Sequence, residues 1–321
     1  MTSSPKSTCN NYQKHQITDL QGDLQESFSK KPTLPLQNRI VRALARLLLK
    51  TVFSNKLKPG VSLKTISLNQ TTIHLYTPEH CTSDGIVLWL HGGGYIVGSP
   101  KQNRTECSEL AKKLGCKVVA VSYRLAPEHP FPAGLDDSYQ AWQWLLDNEK
   151  SLHINKHKIA IAGQSAGGGL AAALCQRIKT DNSIQPIAQV LYYPMLDDRT
   201  ALNRQLDKCE HLIWHNQLNY FAWGAYLGEE PGQSSVPRFS VPARSDNLSG
   251  LPNTWIGVGE MDLFYQENIQ YAEALNASGV NVCVHTTPRA AHAFDVVAPS
   301  AVSSRDFKNE IITFLNRLLE N

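Results

Sequence analysis

The stretch AIAGQSAGGGLAAALC, residues 160–175, decides how the rest of the chain is interpreted. An apolar run typical of a buried strand leads into it, and an Ala- and Leu-rich run typical of a helix leads out. Residues 163–167, where the two runs meet, read GQSAG and match the pattern G-x-S-x-G, with Ser165 at its centre. Such a turn either needs small residues merely to fit, or it presents a nucleophilic serine at the end of a strand.

The composition is that of an ordinary globular protein. The chain has 321 residues, of which 42% are hydrophobic and 18% charged, which allows one large α/β domain or two smaller ones. The net charge of +3 is small and evenly spread, and it argues against nucleic acid as a partner. The seven cysteines include no Cys-x-x-Cys pair and no spacing typical of zinc, so we expect reduced, mostly buried thiols and no metal centre.

The N-terminal region begins with a polar segment. Residues 1 to about 33 are rich in Ser, Lys and Gln and are expected to be loosely structured. They contain no apolar leader, and no run in the chain approaches the roughly 18 apolar residues of a membrane span. These observations predict a cytoplasmic protein without stable membrane insertion. The oligomeric state stays open, a homodimer included.

The next stretch, LPLQNRIVRALARLLLKTVF, predicts a basic amphipathic helix. Apolar side chains recur at helical spacing, namely Leu36, Ile40, Leu44, Leu47 and Leu48. A helix of this kind either packs its apolar face onto a domain or lies on a membrane surface. We favour packing, because a folded domain accounts for the same pattern.

From residue 61 onwards, strand and helix patterns alternate. Two short alternating runs joined by Asn69 and Gln70 predict a hairpin. Mostly continuous apolar runs predict six further strands, at residues 85–91, 116–123, 157–163, 187–194, 253–259 and 280–287. Helical patterns lie at residues 103–114, 134–149, 166–179, 265–278 and 302–319. The alternation predicts an α/β fold with a mostly parallel, eight-stranded sheet and helices on both faces.

One aromatic insertion interrupts this alternation between the sixth and seventh predicted strands. It spans residues 197 to about 235, is helix-like, and contains Trp214, Tyr220, Phe221, Trp223 and Tyr226. Its position in the chain predicts that it lies at the carboxyl edge of the sheet, where open α/β sheets bind ligands.

A second motif, HGGGYIVGS at residues 91–99, follows the third strand. Gly92, Gly93 and Gly94 lack side chains, so their N–H groups can approach a reacting carbonyl closely. Together with the N–H of Ala166, they would form an oxyanion hole. The alternative is a glycine-rich loop without a catalytic role, but two such motifs in one chain favour catalysis.

A serine nucleophile needs a base, and the base needs an acid that orients it. The chain order that accompanies this serine turn is Ser, then Asp or Glu, then His. Asp262 follows the seventh strand and His292 follows the last, so both should lie at the same sheet edge as Ser165. Glu260 is the alternative acid.

Together these segments resemble the hormone-sensitive-lipase-like esterases (bacterial family IV type) of the α/β-hydrolase superfamily. The resemblance covers roughly residues 61–320 and rests on HGGGYIVGS (91–99), VSYRLAPEHPFPAGLDD (121–137), AGQSAGGGLAAAL (162–174), YYPMLD (192–197), DNLSGLPNTWIGVGEMD (246–262) and HAF (292–294). It implies an α/β-hydrolase fold. It also implies a catalytic triad of Ser165, Asp262 and His292. The oxyanion donors that it implies are the N–H groups of Gly92, Gly93 and Ala166.

The resemblance further implies how the chain is divided. Residues 1–60 and the insertion at about 197–235 would build a helical cap, and residues 61–321 would form the α/β-hydrolase catalytic domain. Three positions depart from the family pattern: Gln164 where an acid is usual, Leu263 where Pro is common, and Ala293 where Gly is usual. None removes a catalytic group, but Gln164 changes the charge behind the nucleophile.

The predicted function is therefore a serine carboxylesterase. It would hydrolyse small-molecule esters with short acyl chains through an acyl-enzyme intermediate, without a metal or an organic cofactor. One alternative is a non-catalytic ligand-binding protein on the same fold. His292 argues against it, since receptors that resemble this family have lost the catalytic histidine. The other alternative is a related amidase or lactonase, which the sequence does not separate from an esterase.

Overall fold

The apolar runs of the sequence form one sheet, in which the central strands are buried on both faces. The computed structural model describes residues 13–29, 34–51, 56–181 and 184–319. Its strands are β1 (Val61–Ser67), β2 (Thr72–Pro78), β3 (Ile86–Leu90), β4 (Lys117–Val121), β5 (Ile159–Gln164), β6 (Ala188–Tyr192), β7 (Asn253–Gly259) and β8 (Val282–Thr287). Every residue of β3, β5 and β6 is buried, as continuous apolar runs require.

The strands pair in the order β1-β2-β4-β3-β5-β6-β7-β8. β1 and β2 form an antiparallel hairpin, and β2 pairs antiparallel with β4. All pairs from β4 to β8 are parallel, which confirms the predicted sheet. Because parallel strands end at a common edge, the loops after β3, β5, β7 and β8 meet there.

The helices cover the sheet in two layers. In the described ranges they are α1 (Gly22–Ser29), α2 (Arg39–Thr51), α3 (Arg104–Leu114), α4 (Ala133–Asp147), α5 (Glu149–Leu152), α6 (Ala166–Thr180), α7 (Asn216–Leu227), α8 (Tyr265–Ala277), α9 (Phe294–Val297) and α10 (Val302–Leu319). Successive strand residues face opposite layers. Leu88 packs with residues of α4, α6 and α8, while Trp89 packs with residues of α1, α3 and α10.

The N-terminal segment is more ordered than the sequence analysis predicted. The first twelve residues, including Cys9, lie outside the described residues, but α1 forms and packs against α9 and α10. Leu20, Leu24 and Phe28 are buried in the layer that contains Trp89. The expectation of a loose segment up to about residue 33 is therefore wrong for residues 13–29, while residues 1–12 and 30–33 lie outside the described residues. These three apolar residues, spaced four apart, form a stripe, and its burial offsets the entropy cost of ordering an otherwise polar segment.

Helix α2 forms as predicted, but with the opposite face inward. Ile40, Leu44 and Leu47 are more than half exposed, whereas Arg42 is buried. The arginines dock the helix through hydrogen bonds. Arg42 donates to the carbonyl oxygen of Leu36 within the same segment (2.9 Å), and Arg46 donates to carbonyl oxygens in the loops after β3 and β4. The expectation that the leucine face packs onto the domain is wrong, because these contacts select the arginine face.

The aromatic insertion lies against the glycine-rich loop after β3. Within it, two 3₁₀ turns precede α7, and Trp223 and Tyr226 of α7 are buried. Tyr226 stacks on Tyr95 of the glycine-rich loop with ring centroids 3.9 Å apart. Its carbonyl oxygen accepts a hydrogen bond of 2.7 Å from the N–H of Phe131. The guanidinium of Arg42, from α2, lies 5.4 Å from the ring of Phe221.

The thiols and the hydropathy of the helices agree with the sequence analysis. Of the six cysteines in the described ranges, none forms a disulfide; four are buried, and only Cys81 and Cys283 are exposed. None of the described helices is both long and apolar enough to cross a membrane.

Candidate active site

Ser165 occupies the sharp turn between β5 and α6. Its backbone angles, φ 54° and ψ −119°, belong to a sparsely populated region and are maintained by the surrounding structure. A Cβ at Gly163 would overlap the carbonyl of Gly167, and a Cβ at Gly167 would overlap the carbonyl of Leu90. The G-x-S-x-G pattern therefore has a steric cause, because the strand and helix approach too closely for larger residues.

The structure brings the three predicted triad side chains into one hydrogen-bonded chain. Nε2 of His292 lies 3.0 Å from Oγ of Ser165, and Nδ1 of His292 lies 2.8 Å from a carboxylate oxygen of Asp262. All three residues are buried, with no more than 6% of each exposed. The alternative acid, Glu260, instead accepts a hydrogen bond of 3.0 Å from the N–H of Arg289.

Strand ends and aromatic contacts fix the orientation of these three hydrogen-bonded side chains. The second carboxylate oxygen of Asp262 accepts from the N–H of Phe264 (2.9 Å), which holds the carboxylate at the end of β7. The His292 ring lies edge-to-face with Tyr193 at 4.9 Å and with Phe264 at 5.2 Å between centroids. Ala293, immediately after the histidine, has a left-handed backbone with φ 56°.

The glycine-rich loop places backbone donors beside Ser165. A Cβ at Gly92 would lie 3.5 Å from that of Ser165. Within the described residues, the N–H groups of Gly92, Gly93 and Ala166 donate to no oxygen of the protein. Ala166 owes this to its place at the first turn of α6, where helix N–H groups lack partners. Free backbone N–H groups are the kind of donor that a developing oxyanion needs.

His91 stabilises the glycine-rich loop from below. Its ring stacks on Tyr123 with centroids 4.1 Å apart, and the Tyr123 hydroxyl donates to the His91 carbonyl oxygen (2.6 Å). Gly93 has φ 128°, a conformation that a side chain would strain, and its carbonyl accepts from the N–H groups of Ile96 and Val97. The loop is therefore rigid enough to hold its donors in place.

Behind Ser165 lies a buried polar network that the sequence analysis did not anticipate. The side chain of Gln164 accepts from Asn103 (2.7 Å) and donates to the hydroxyl of Tyr193 (3.2 Å). Tyr193 in turn donates to Asp295 (2.5 Å), which is fully buried. Burial raises the pKa of Asp295 above its usual range, although Lys308 opposes this shift. The sequence does show an acid, Asp295, directly after the motif HAF (292–294). Only the fold connects this acid to Gln164, through the hydroxyl of Tyr193.

Trp214 of the insertion lies between the glycine-rich loop and His292. A Cβ at Gly94 would overlap its indole ring, whose centroid lies 6.5 Å from that of His292. The indole N–H donates to the side chain of Asn219 in α7 (3.3 Å). Trp214 thus covers the candidate site from the side of the insertion.

Comparison with known proteins identifies the family. A family model described as "alpha/beta hydrolase fold" matches residues 87–296, about two thirds of the chain. The chain belongs to this family. Among its relatives, Esterase LipI of Mycobacterium tuberculosis is 31% identical over 223 residues, 68% of this chain and 69% of that protein. Ethyl acetate hydrolase of Pseudomonas putida is 31% identical over 245 residues, 73% of this chain and 74% of that protein.

The structural comparison agrees with the sequence relatives. The structure of a bacterial heroin esterase superposes on this α/β hydrolase with a TM-score of 0.88 at 31% identity, and the match covers 94% of this chain and 99% of the other. The predicted resemblance to hormone-sensitive-lipase-like esterases is confirmed, and this α/β hydrolase is a carboxylic ester hydrolase.

Proposed function

We propose that this α/β hydrolase is a serine carboxylesterase that acts on short-chain acyl esters, with Ser165 as nucleophile, His292 as general base and Asp262 as the orienting acid. The observation that carries the proposal is the position of the imidazole, which bridges the Ser165 hydroxyl at 3.0 Å and the Asp262 carboxylate at 2.8 Å. This arrangement of nucleophile, base and orienting acid is what serine hydrolysis requires.

The reaction follows from the roles of these atoms. Nε2 of His292 accepts the proton of Ser165 as Oγ attacks the ester carbonyl carbon, while the Nδ1–H donates to Asp262. The tetrahedral intermediate collapses, His292 returns the proton to the leaving alkoxide, and the alcohol departs. Water, deprotonated by His292, then attacks the acyl-enzyme. As the acyl–Oγ bond breaks, His292 returns this proton to Ser165 and the acid departs.

The oxyanion of the intermediate would be stabilised by Gly92, Gly93 and Ala166. Their N–H groups are preorganised, so they require no reorganisation when negative charge develops. The dipole of α6, whose N-terminus begins at Ala166, contributes in the same direction.

The test compares two matched pairs of variants. We expect Ser165→Ala to abolish fluorophosphonate labelling and to leave only the roughly 10³–10⁴-fold acceleration over water that binding and the oxyanion hole supply. The exposed Ser151→Ala serves as its control. Asp262→Asn should lose several orders of magnitude in kcat, whereas Glu260→Gln should not. Near-normal turnover of Ser165→Ala would refute the triad. A wild-type protein that neither hydrolyses esters nor reacts with the fluorophosphonate would favour a non-catalytic binding role.

The short-chain preference rests on Trp214 and the surrounding aromatic side chains. We infer that the N-terminal segment and the insertion form a cap that closes the acyl pocket. Each added CH₂ gains about 0.8 kcal/mol while the pocket has room, and the gain ends at the roof. By this argument kcat/KM should peak at acyl chains of about two to six carbons and fall by an order of magnitude or more by about twelve.

A series of p-nitrophenyl esters of graded chain length tests this preference. Trp214→Ala should move the optimum towards longer acyl chains, whereas Trp144→Ala, near the C-terminal end of α4 and outside the insertion, should leave the optimum unchanged. A preference for long-chain triglycerides with activation at an oil–water interface would contradict the proposal. Matched anilides and lactones in the same assay distinguish an amidase or lactonase from an esterase.

Cellular location and assembly are separate proposals. The cytoplasm remains the predicted location, and a homodimer remains open. Cell fractionation with an antibody to the native chain tests the first, and sedimentation of the purified protein tests the second.

A further inference from the structure

Three metal-ligating side chains lie together where the N-terminal segment meets the aromatic insertion. His15 comes from the first described segment, and Cys209 and His211 come from the insertion. Their candidate ligand atoms, the imidazole nitrogens and the thiol sulfur, all lie within 4.8 Å of one another. Cys209 and His211 are buried, and His15 is half-buried. None of the three has a role in the hydrolysis proposed above.

The backbone holds the two segments in register at this point. The N–H of His15 donates to the carbonyl oxygen of Cys209 (2.7 Å), and the two imidazole rings pack edge-to-face with centroids 4.6 Å apart. Nδ1 of His15 and Nδ1 of His211 are both buried and have no hydrogen-bond partner. Such unpartnered buried nitrogens are uncommon in folded proteins, and one established explanation is that they bind an ion.

The free imidazole nitrogens are suited to metal binding. A neutral imidazole coordinates a metal through the lone pair of a ring nitrogen. The unpartnered Nδ1 atoms of His15 and His211 can supply two such lone pairs.

We propose that His15, Cys209 and His211 form a Zn²⁺ site that ties the N-terminal segment to the insertion. Two imidazole nitrogens and one thiolate are a donor set that zinc favours, whereas magnesium and calcium prefer oxygen ligands. Zn–N bonds of about 2.0–2.1 Å and Zn–S bonds of about 2.3 Å imply ligand separations of roughly 3.3–3.6 Å in a tetrahedral site. Small side-chain rotations that move these ligand atoms by little more than about 1 Å would bring them from their present separations to these values.

The binding step conserves charge and protons. Zn²⁺ displaces the thiol proton of Cys209, which passes to the solvent, while the neutral imidazoles lose none. Water takes the fourth position, since His15 leaves the site partly open to solvent. The site would hold together two segments that are about 190 residues apart in the sequence, and His211 lies three residues before Trp214 in the insertion.

The experiment titrates the chelator-stripped full-length protein with Zn²⁺ alone, followed by calorimetry, and with Co²⁺, followed by absorbance. We expect one ion per chain, release of about one proton, and a thiolate-to-cobalt charge-transfer band with the visible bands of tetrahedral coordination. Zinc should also raise the Tm by roughly 2–4 °C or more, because it binds the folded state.

Variants assign the ligands. Cys209→Ser should abolish the charge-transfer band and weaken zinc binding at least tenfold, and His15→Gln should weaken it similarly. Because Cys209 is buried, the half-buried His15 provides a variant that leaves no cavity in the core. The exposed thiol and imidazole variants Cys81→Ser and His157→Gln should bind as wild type does. Absence of the cobalt band in wild type, or zinc affinity unchanged in both Cys209→Ser and His15→Gln, would overturn the proposal.

Discussion

At the scale of single residues, the candidate site depends on backbone conformations that most side chains disfavour. Ser165 has φ 54° at the turn, and Ala293 has φ 56° and ψ 30° directly after His292. The left-handed conformation at position 293 explains why relatives usually have Gly after the histidine, since Gly adopts this conformation without a steric penalty. The departure noted in the sequence is therefore a local strain in this chain.

Replacing this alanine should relieve the strain. A left-handed alanine costs about 1–2 kcal/mol, which the greater freedom of unfolded Gly offsets only in part. We expect Ala293→Gly to raise the Tm by about 1–3 °C in thermal unfolding. The exposed helical control Ala274→Gly should lower it, because Gly is a poor helix former. A fall in Tm for Ala293→Gly would show that the methyl group contributes packing that outweighs the strain.

Gln164 is the residue whose neutrality the buried network requires. In Gln164→Glu, the new carboxylate would face the Tyr193 hydroxyl, whose proton is donated to Asp295. A protonated Glu restores the wild-type hydrogen bonds, so burial and Asp295 should raise the pKa of the new group in the folded state. A raised folded pKa gives stability that is present below the unfolded pKa of about 4.3 and lost as pH rises.

The measurement is the Tm difference between Gln164→Glu and wild type at pH 5 and pH 8. The deficit should be small at pH 5 and grow with pH, by about 1.4 kcal/mol for each unit by which the pKa is raised. The exposed Gln270→Glu on α8 introduces the same charge and should show no such dependence. A deficit that is equal at both pH values would mean that geometry, not charge, makes the glutamine necessary.

At the scale of elements, Glu267 joins α8 to the loop after β6. Its carboxyl accepts from the N–H groups of Leu196 (2.8 Å) and Asp197 (3.4 Å) and from the Thr200 hydroxyl. Burial raises the pKa of Glu267 well above its usual range. The folded state therefore retains a proton that the unfolded chain releases, and this contribution to stability falls as pH rises above the unfolded pKa.

Glu267→Gln removes this pH dependence and keeps the acceptor oxygen for the two N–H groups. We expect the Tm of the variant, measured relative to wild type, to increase between pH 5 and pH 8. The control is Glu273→Gln, exposed on the same helix, for which the relative Tm should stay constant. A relative Tm that falls with pH would indicate that the carboxylate is ionised in the folded protein.

Helix α2 is docked by hydrogen bonds from its arginines. Arg46 donates to the carbonyl oxygens of Ile96 (2.8 Å) and Ala126 (2.6 Å) and to the Glu128 carboxylate (2.8 Å). Arg46→Ala should cost roughly 1–3 kcal/mol, because charged donors to buried acceptors are lost. Leu44→Gln, at a position 54% exposed, should leave the Tm within about 1 °C of wild type. The reverse ranking in thermal unfolding would restore the leucine face as the docking face.

At the scale of the whole molecule, the N-terminal segment supports the loop that carries His292. Arg289 of that loop donates to the carbonyl oxygens of Thr18 and Leu20, both at 3.0 Å. The Asp23 carboxylate accepts from the N–H of Ser303 in the first turn of α10 (2.9 Å). The segment therefore connects one helix layer of the sheet with the edge that carries the candidate site.

Deleting residues 1–30 should lower both stability and turnover. Exposure of the surface that Leu20, Leu24 and Phe28 cover should cost several kcal/mol after the ordering entropy is subtracted, a fall in Tm of about 10 °C. The kcat for short esters should fall as the His292 loop loses its support. A chain that lacks only residues 1–12 keeps all of these contacts and is the control. Unchanged Tm and kcat in the longer deletion would show that the segment has no structural role.

The sequence by itself determined the sheet, its connecting helices and the order of the candidate triad. These follow from local patterns, since apolar periodicity specifies each strand and helix, and G-x-S-x-G fits only a tight strand–helix turn. Parallel connection then brings Ser165, Asp262 and His292 to one edge without further information.

Only the tertiary structure decided which faces and partners the remaining elements use. Amphipathic spacing predicts that α2 is a helix, but carbonyl acceptors in distant loops determine that Arg46 faces inward. The pairing of Gln164 with Asp295 through Tyr193, and of His15 with His211, joins residues far apart in the chain. Such contacts depend on the distance between side chains in space, and a one-dimensional pattern contains no measure of that distance.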